Sequence, residues 1–133
     1  MTYALDTNTI SYAIQADVRV KNRIREALAE KHNLVIPPIT YYEIRRGFKH
    51  KTAPKKEKSF TNLCRLYSIG EMSISAWECA ADIYARSRRM GNPTGDADIL
   101  IAAFCIVNGY TLVTNNVKHF GWIDGLQWID WVN

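Results

Sequence analysis

Short apolar runs that alternate with helical patterns are the feature that most constrains the fold of this sequence. Residues 3–5 and 34–36 are apolar, and each run is followed directly by a segment with helical periodicity. A third run at 111–114 follows another helical pattern, and 126–129 is compatible with a last short strand. Strands that alternate with helices form parallel sheets with helices on both faces. The sequence therefore predicts an α/β fold with a central parallel sheet of four to five strands.

The helices are predicted from apolar spacing and from residues typical of helix ends. Ser75 and Glu78 have the spacing of a capping box, the segment Gly91-Asn92-Pro93 is expected to stop the helix that begins there, and Gly109 should end the next one. Residues 68–74 alternate enough to form a further strand. The expected helices cover residues 9–14, 20–31, 40–48, 60–67, 75–90 and 96–107.

Length and composition indicate one globular domain over residues 1–133, since 47% of the residues are hydrophobic and 23% are charged. No stretch has the pattern of a signal peptide or the length of a membrane span, so we expect a cytoplasmic protein without membrane contact. Cys64, Cys79 and Cys105 are dispersed among predicted helices. We therefore expect buried thiols rather than disulfides or a zinc site.

A basic stretch over residues 45–58 stands out from a formal net charge of +4. Such a stretch is suited to binding phosphate groups, but a solvated helix and loop surface explains it equally well from charge alone. Glu57 is the one acid within it. The basic residues are Arg45, Arg46, Lys49, Lys51, Lys55, Lys56 and Lys58.

Three acids are expected at the carboxyl edge of the sheet, where ligands gather in folds of this type. Asp6 directly follows the first strand, and Glu43 lies in the first turn of the helix after the second strand. Asp98 lies in the first turn of the helix before residues 111–114. Carboxylates brought together repel one another unless a cation offsets their charge, and oxygen ligands suit Mg²⁺ or Mn²⁺. This pattern indicates a divalent metal site.

Each acid also has a purely structural explanation. Asp6 is placed to cap the helix near Thr9, and Thr40 and Glu43 have capping-box spacing. Asp98, like the nearby Asp96, is suited to the positive end of a helix dipole, and Thr94 is a candidate cap for Asp96. What capping explains poorly is the occurrence of three such acids at one sheet edge beside a basic segment.

Four sequence blocks and the chain ending resemble the motifs of VapC-type PIN domains, in order and spacing. The blocks are Leu5-Asp6-Thr7-Asn8, then Ile39 through Gly47, Asp98 through Ala103 and Leu112-Val113-Thr114-Asn115-Asn116, and the ending is Leu126 through Trp131. The resemblance covers essentially the whole chain. It implies a PIN domain over residues 1–133.

The resemblance implies a prokaryotic toxin that hydrolyses structured RNA such as tRNA with Mg²⁺ or Mn²⁺. It also implies a homodimer silenced by a VapB-like antitoxin, and products with 5′-phosphate and 3′-hydroxyl ends. By motif, Asp6 and Asp98 are the principal metal ligands and Glu43 completes the acidic triad. The basic residues Arg45, Arg46, Lys49, Lys51, Lys55 and Lys56 are the expected RNA contacts. The auxiliary positions are Thr7, Asn8, Asp96, Thr114 and Asn116.

The position at which many relatives carry a fourth acid of the metal site departs from the family pattern in this sequence. Many relatives carry an acid at the position of Asn116 or shortly after it, and His119 stands where close relatives often have Glu or Asp. This departure puts a second metal ion in doubt, although Asn116 can still hydrogen-bond a metal-bound water. Three alternatives stay open: a non-catalytic PIN module that binds RNA, a housekeeping RNA-processing PIN nuclease, and a helical domain whose acids only cap helices.

Overall fold

The computed structural model describes residues 1–91 and 94–133. Asn92 and Pro93, which are part of the predicted helix stop, lie outside the described residues. The described residues form five strands and seven helices. In chain order these are β1 Thr2–Leu5, α1 Thr7–Ile14, α2 Val18–Ala29, β2 Asn33–Ile36, α3 Pro38–His50, α4 Pro54–Leu66, β3 Ser68–Ile69, α5 Ile74–Arg89, α6 Asp96–Asn108, β4 Thr111–Val113, α7 Val117–Phe120 and β5 Gln127–Ile129.

The strands form one parallel sheet in the order β3-β2-β1-β4-β5. β1 lies at the centre, with Tyr3 opposite Leu34 of β2 on one side and opposite Thr111 of β4 on the other. Every strand pair is parallel, which confirms the predicted parallel sheet of four to five strands. Because the strands run in the same direction, their carboxyl ends all meet at one edge.

Alternate strand residues pack into two separate cores, one on each face of the sheet. Ala4 and Leu112 face a core completed by Phe104 and other residues of α5 and α6. Leu5 and Val113 face the opposite core, which α1, α2 and α4 complete. This period-two alternation is what a sheet covered on both faces requires. It confirms the prediction of helices on both faces.

Two helices begin earlier than the capping patterns predicted. α3 begins at Pro38, because proline is favoured in the first turn, where its missing N–H costs no hydrogen bond. α5 is capped by Ser73, whose hydroxyl accepts from the Ala76 N–H at 3.1 Å, so the predicted start at Ser75 is wrong. The strand predicted over 68–74 is also too long, since β3 covers only Ser68–Ile69.

Most of the lysine-rich segment, which was predicted as a connection before a helix at residues 60–67, is helical. α3 continues to His50 and α4 begins at Pro54, so most of the basic residues lie on helix surfaces. Gly109 ends α6 in the left-handed conformation, with φ of 69°, as predicted. The three cysteines are free, but only Cys105 is buried, whereas Cys64 and Cys79 are partly exposed.

Within residues 1–91 and 94–133, none of the helices combines the length and the apolar character that crossing a membrane requires.

Candidate active site

A cleft of about 230 Å³ opens at the carboxyl edge of the sheet. All three predicted acids line it, although they come from three different elements of the chain. Thr7, Asn8 and Asn116, three of the predicted auxiliary residues, line it as well. The full lining is Asp6, Thr7, Asn8, Glu43, Asp98, Ile101, Asn116, His119 and Phe120.

Asp6 is held rigidly at the end of β1. It caps α1 by accepting from the Thr9 N–H at 2.8 Å, and its own backbone N–H donates to the Val113 carbonyl at 3.2 Å. The residue is only 4% exposed. Burial raises the pKa of the Asp6 carboxyl, while hydrogen bonds from Thr114 and Thr9 oppose the rise and the charge of Asp98 adds to it. Helix capping and a place in the cleft therefore coexist in Asp6.

Asp98 is the third residue of α6 and turns a carboxylate toward the same cleft. His119, on the short helix α7, places its Nδ1 2.8 Å from Asp98 Oδ2. The side-chain amide of Asn116 lies 2.9 Å from the same His119 nitrogen. The Asp98 side chain keeps 25% of its surface exposed, so solvent and small ions can reach it. The two residues that depart from the family pattern thus contact each other beside Asp98.

Glu43 is the sixth residue of α3 and lies beyond the first turn in which it was expected. Its Oε1 accepts from the Thr7 hydroxyl at 2.6 Å, and Arg46 lies 3.6 Å from its Oε2. The capping-box alternative is wrong, because α3 starts at Pro38 and Thr40 is inside the helix. Within residues 1–91 and 94–133, the buried Thr40 hydroxyl has no hydrogen-bond partner. Glu43 therefore faces α1 and the cleft.

The remaining auxiliary residues differ in their placement. Thr114 is fully buried at the end of β4, where its hydroxyl accepts from the Asn116 N–H at 3.0 Å and hydrogen-bonds Asp6. Asp96 is exposed and lines a neighbouring apolar cavity rather than the cleft. Thr94 does not cap its helix, since Gly95 is the N-cap and the Thr94 hydroxyl accepts from Trp122 Nε1 at 3.0 Å.

The donor set of the cleft fits one divalent cation coordinated partly by water. In the described part of the chain, no three His, Cys, Asp or Glu side chains converge into a complete metal cluster. Asp6 and Asp98 are nevertheless close enough for the charge of one to raise the pKa of the other. Mg²⁺ commonly binds through one or two carboxylates and keeps several waters. A cation at this pair would offset the repulsion between the two carboxylates.

The predicted RNA-binding cations divide into paired and unpaired groups. Arg45 forms an ion pair with Glu57 at 3.1 Å, and Arg46 contacts Glu43 and also lies 5.1 Å from the centre of the Tyr42 ring. Among the described residues, the other four have no carboxylate within ion-pair distance and are exposed. These are Lys49, Lys51, Lys55 and Lys56.

Sequence reasoning missed two contacts of the site. The bond from Thr7 to Glu43 joins α1 to α3, and the contact of His119 with Asp98 joins α7 to α6. Neither pair is close in sequence, so no local spacing indicates it. The only available signal was that Thr7 and His119 each stand within a block that carries, or closely follows, other polar residues of the site.

Comparisons with known proteins agree with this fold and cleft. A family model described as the PIN domain matches residues 3–121. The five-stranded parallel sheet is thus a PIN-domain fold, and the chain belongs to the PIN-domain family. Within the family its relatives are VapC ribonucleases. Ribonuclease VapC2 of Rickettsia felis is 31% identical, with 98% of each chain covered.

Other relatives and solved structures agree. The tRNA(fMet)-specific endonuclease VapC of Salmonella typhimurium is 30% identical, again with 98% of each chain covered. The crystal structure of VapBC2 from Rickettsia felis bound to a promoter DNA fragment has a TM-score of 0.90 at 28% identity, covering 98% of this chain and 99% of that one. VapBC-1 from nontypeable Haemophilus influenzae has a TM-score of 0.86 at 28% identity, with both chains fully covered at 100%.

Proposed function

We propose that this protein is the toxin of a VapBC-like toxin–antitoxin pair and acts as a metal-dependent endoribonuclease on structured RNA. The observation that carries the proposal is the pairing of Asp6 and Asp98 in one cleft at the carboxyl edge of the sheet. Membership of the PIN family and the named activity of its VapC relatives support hydrolysis of a phosphodiester bond.

Asp6 and Asp98 are the residues that would hold the cation, which we propose to be Mg²⁺ or Mn²⁺. When bound, such an ion supplies an activated water and neutralises charge on the phosphate. Thr9 and Thr114 fix the Asp6 carboxylate by hydrogen bonds, so its oxygens need not reorganise. His119 holds the Oδ2 atom of Asp98 by a hydrogen bond, and Oδ1 of Asp98 is the oxygen that we propose to bind the cation.

Glu43 is the proposed residue for orienting the attacking water. The Thr7 hydroxyl donates a hydrogen bond to Glu43 Oε1, and Arg46 lies 3.6 Å from Glu43 Oε2. A carboxylate held in this way accepts a proton or a hydrogen bond from water without leaving its position. Asn116 also lines the cleft and is proposed to hydrogen-bond a water or a phosphate oxygen.

The RNA backbone is proposed to lie along the basic surface of α3 and α4. The six cations of that surface are Arg45, Arg46, Lys49, Lys51, Lys55 and Lys56. Contacts of this kind weaken as salt rises, because binding releases counterions from the phosphates. We propose tRNA as the substrate class, which is supported by the name of the Salmonella relative.

A VapB-like antitoxin and a second copy of this chain are the proposed protein partners. The solved VapBC complexes of similar fold support the antitoxin. An apolar cavity of about 590 Å³ beside the cleft, with Tyr42 and Trp77 exposed by 59% and 50%, provides a surface of the kind that protein interfaces cover. Tyr41 and Phe48, on the same helix as Tyr42, are partly buried and pack against the ring of the buried Phe60.

The substitution Asp98→Asn tests the proposed activity. It removes one negative charge from the metal pair while keeping the size of the side chain, so we expect the fold to persist and cleavage to fall by at least about a thousandfold. The measurement is incubation of purified protein with total RNA, with and without EDTA, followed by mapping of the cut ends.

Wild-type protein should cut only when Mg²⁺ or Mn²⁺ is present, and it should leave 5′-phosphate ends. Retention of cleavage by the Asp98→Asn protein would rule out the assigned site. Binding of RNA by the wild type without metal-dependent cleavage would instead favour the non-catalytic PIN module.

A further inference from the structure

A groove of about 400 Å³ leads away from the acid cleft between α1 and α3. Thr7 and Glu43, which line the cleft, also line the upper end of this α1–α3 groove. Its α1 wall continues through Ser11 to Gln15, a distance of roughly 12 Å at the rise of an α-helix. The groove and the cleft are therefore adjacent, with the hydrogen-bonded pair of Thr7 and Glu43 at their common boundary.

Gly47 keeps the middle of this groove open. It lies in the interior of α3, one turn after Glu43 and on the same face of the helix. A Cβ atom built on Gly47 has no atom within 4 Å, so nothing inside the protein requires a glycine there. A glycine in a helix interior destabilises the helix relative to alanine. The open position is explained if a bound molecule approaches the backbone of α3 closely.

The far end of the groove carries unpaired positive charge. Lys51 and Lys56 line it, and neither has a carboxylate within ion-pair distance in the described part of the chain. The neighbouring Arg45 and Arg46 are already engaged by Glu57 and Glu43. The two lysines are thus the cations of this surface that are free to bind an anion at the groove.

The remaining lining combines polar groups with an apolar wall. Ser11, Gln15 and Thr52 present hydrogen-bonding side chains, whereas Ile14 and the half-buried ring of Phe48 are apolar. A nucleotide needs this combination, since its base packs on apolar or aromatic surface and its sugar and phosphate take hydrogen bonds and positive charge. The volume is also within the roughly 300–1,000 Å³ of typical ligand pockets.

We propose that the α1–α3 groove binds the RNA nucleotides on one side of the scissile phosphate, with Lys51 and Lys56 holding their phosphates and Gly47 leaving room for a base or ribose. This inference rests on the proposed ribonuclease function and adds to it the path of the substrate. It also identifies Lys51 and Lys56, among the predicted basic residues, as the ones that line this groove.

Filling the groove at Gly47 is the direct test. Gly47→Leu places a side chain in the open space, whereas Gly47→Ala adds only one methyl group, so the two variants obstruct the groove to different degrees. The probe is a short fluorescein-labelled single-stranded RNA, and anisotropy is measured in EDTA so that no cleavage occurs. We expect Gly47→Leu to weaken binding roughly tenfold, about the effect of one lost base contact, and Gly47→Ala to weaken binding by a smaller factor, because a methyl group intrudes less on the approach to the α3 backbone. Both variants should melt no lower than the wild type.

A second arm tests the two lysines through salt dependence. The double variant Lys51→Ala/Lys56→Ala should reduce the slope of log affinity against log salt by about 1.4, or 0.7 for each phosphate contact on a single strand. The control Lys21→Ala/Arg25→Ala removes the same charge from the exposed surface of α2, and its slope should match that of the wild type.

The outcomes separate this inference from the proposed function. If the wild type cuts RNA and Gly47→Leu binds and cuts equally well, the groove assignment is wrong and the nuclease assignment stands. A wild type that cuts no RNA with any divalent metal contradicts the nuclease assignment, while the EDTA binding result still decides the groove. If Gly47→Leu blocks a co-purified antitoxin but leaves RNA binding unchanged, the occupant is protein and the inference is overturned.

Discussion

At the scale of single residues, the acid cleft shows how one side chain serves two purposes. Asp6 caps α1 through the Thr9 N–H and at the same time lines the cleft. Its burial raises its pKa, and the nearby charge of Asp98 acts in the same direction. Hydrogen bonds from Thr9 and Thr114 recover part of that cost. A divalent cation between the two carboxylates would offset more of the free-energy cost of burying their charges. Capping of α1 therefore does not exclude a metal-binding role for Asp6.

His119 is proposed to position Asp98 for the metal. Its Nδ1 is 2.8 Å from Asp98 Oδ2, and loss of such a supporting hydrogen bond typically lowers metal affinity 10–100-fold. We therefore expect His119→Ala to raise the dissociation constant of Mn²⁺ by about tenfold, measured by isothermal titration calorimetry.

The control for this prediction is His119→Gln, whose side-chain amide can still donate to Asp98. It should restore most of the affinity for Mn²⁺, and the thermal stability of both variants should stay close to that of the wild type. Equal Mn²⁺ affinity in the wild type and the His119→Ala variant would show that His119 has no positioning function.

At the scale of secondary structure elements, helix ends decide where the functional side chains point. Because α3 begins at Pro38 rather than Thr40, Glu43 lies in the second turn and reaches Thr7 of α1. α4 ends at Leu66, and the next residue, Tyr67, packs into the core that α1, α2 and α4 cover. The Tyr67 hydroxyl is buried and, within the described residues, has no hydrogen-bond partner. This end of α4 is thus held by apolar packing.

The buried phenol makes folding sensitive to alkaline pH. Burial raises the pKa of Tyr67 to about 12 from its ordinary value of 10. Between these values the unfolded chain loses the phenolic proton and the folded chain keeps it, so the contribution of Tyr67 to stability is complete below pH 10 and declines toward pH 12. The loss should reach on the order of 2 kcal/mol.

Tyr67→Phe removes both the titration and the unpaired hydroxyl. We expect the variant to be as stable as the wild type at pH 8, or more stable by about 1 kcal/mol, because no hydrogen bond is lost. At pH 11 its advantage should be larger, as measured by urea unfolding at both pH values. An identical difference at pH 8 and pH 11 would contradict a raised pKa for Tyr67.

At the scale of the whole molecule, the parallel sheet brings distant parts of the chain to one edge. Asp6 directly follows β1, whereas Asp98 lies in the first turn of α6, a helix that packs on the opposite face from α1. A cation held by both residues would link these two layers. Since it would bind only the folded chain, it should raise the free energy of unfolding.

Metal-induced stabilisation is therefore a prediction for the molecule as a whole. At a Mn²⁺ concentration of about 100 times its dissociation constant, the gain should be about 2.7 kcal/mol, which corresponds to a rise in Tm on the order of 10 °C. Differential scanning calorimetry with and without Mn²⁺ measures it.

Asp6→Asn is the matched control, because asparagine caps a helix about as well as aspartate but cannot offer the same charge to a metal. The variant should fold with no loss of stability in EDTA, and its Tm should not rise with Mn²⁺. A full Mn²⁺ shift in Asp6→Asn would exclude Asp6 as a ligand.

Much of this architecture could be predicted from the sequence, because strand and helix periodicity are properties of neighbouring residues. The apolar runs around Ala4, Val35 and Leu112 predicted the parallel sheet, and strand direction alone placed Asp6 at its carboxyl edge. The motif blocks indicated the family, and the PIN-domain match over residues 3–121 confirmed it. The errors concern helix ends, where Pro38 and Ser73 competed with other plausible caps, the strand predicted over 68–74, and the short helix α7, which was not predicted. The expected burial of Cys64 and Cys79 was also wrong.

Only the tertiary structure decided which side chains meet. The contacts of Thr7 with Glu43 and of His119 with Asp98 join residues on different helices, and they depend on how those helices cross the two faces of the sheet. The open groove at Gly47 has the same origin, since an empty space between α1 and α3 leaves no trace in local spacing. Periodicity determines elements from short-range geometry, whereas a site is formed by long-range packing that no single segment contains.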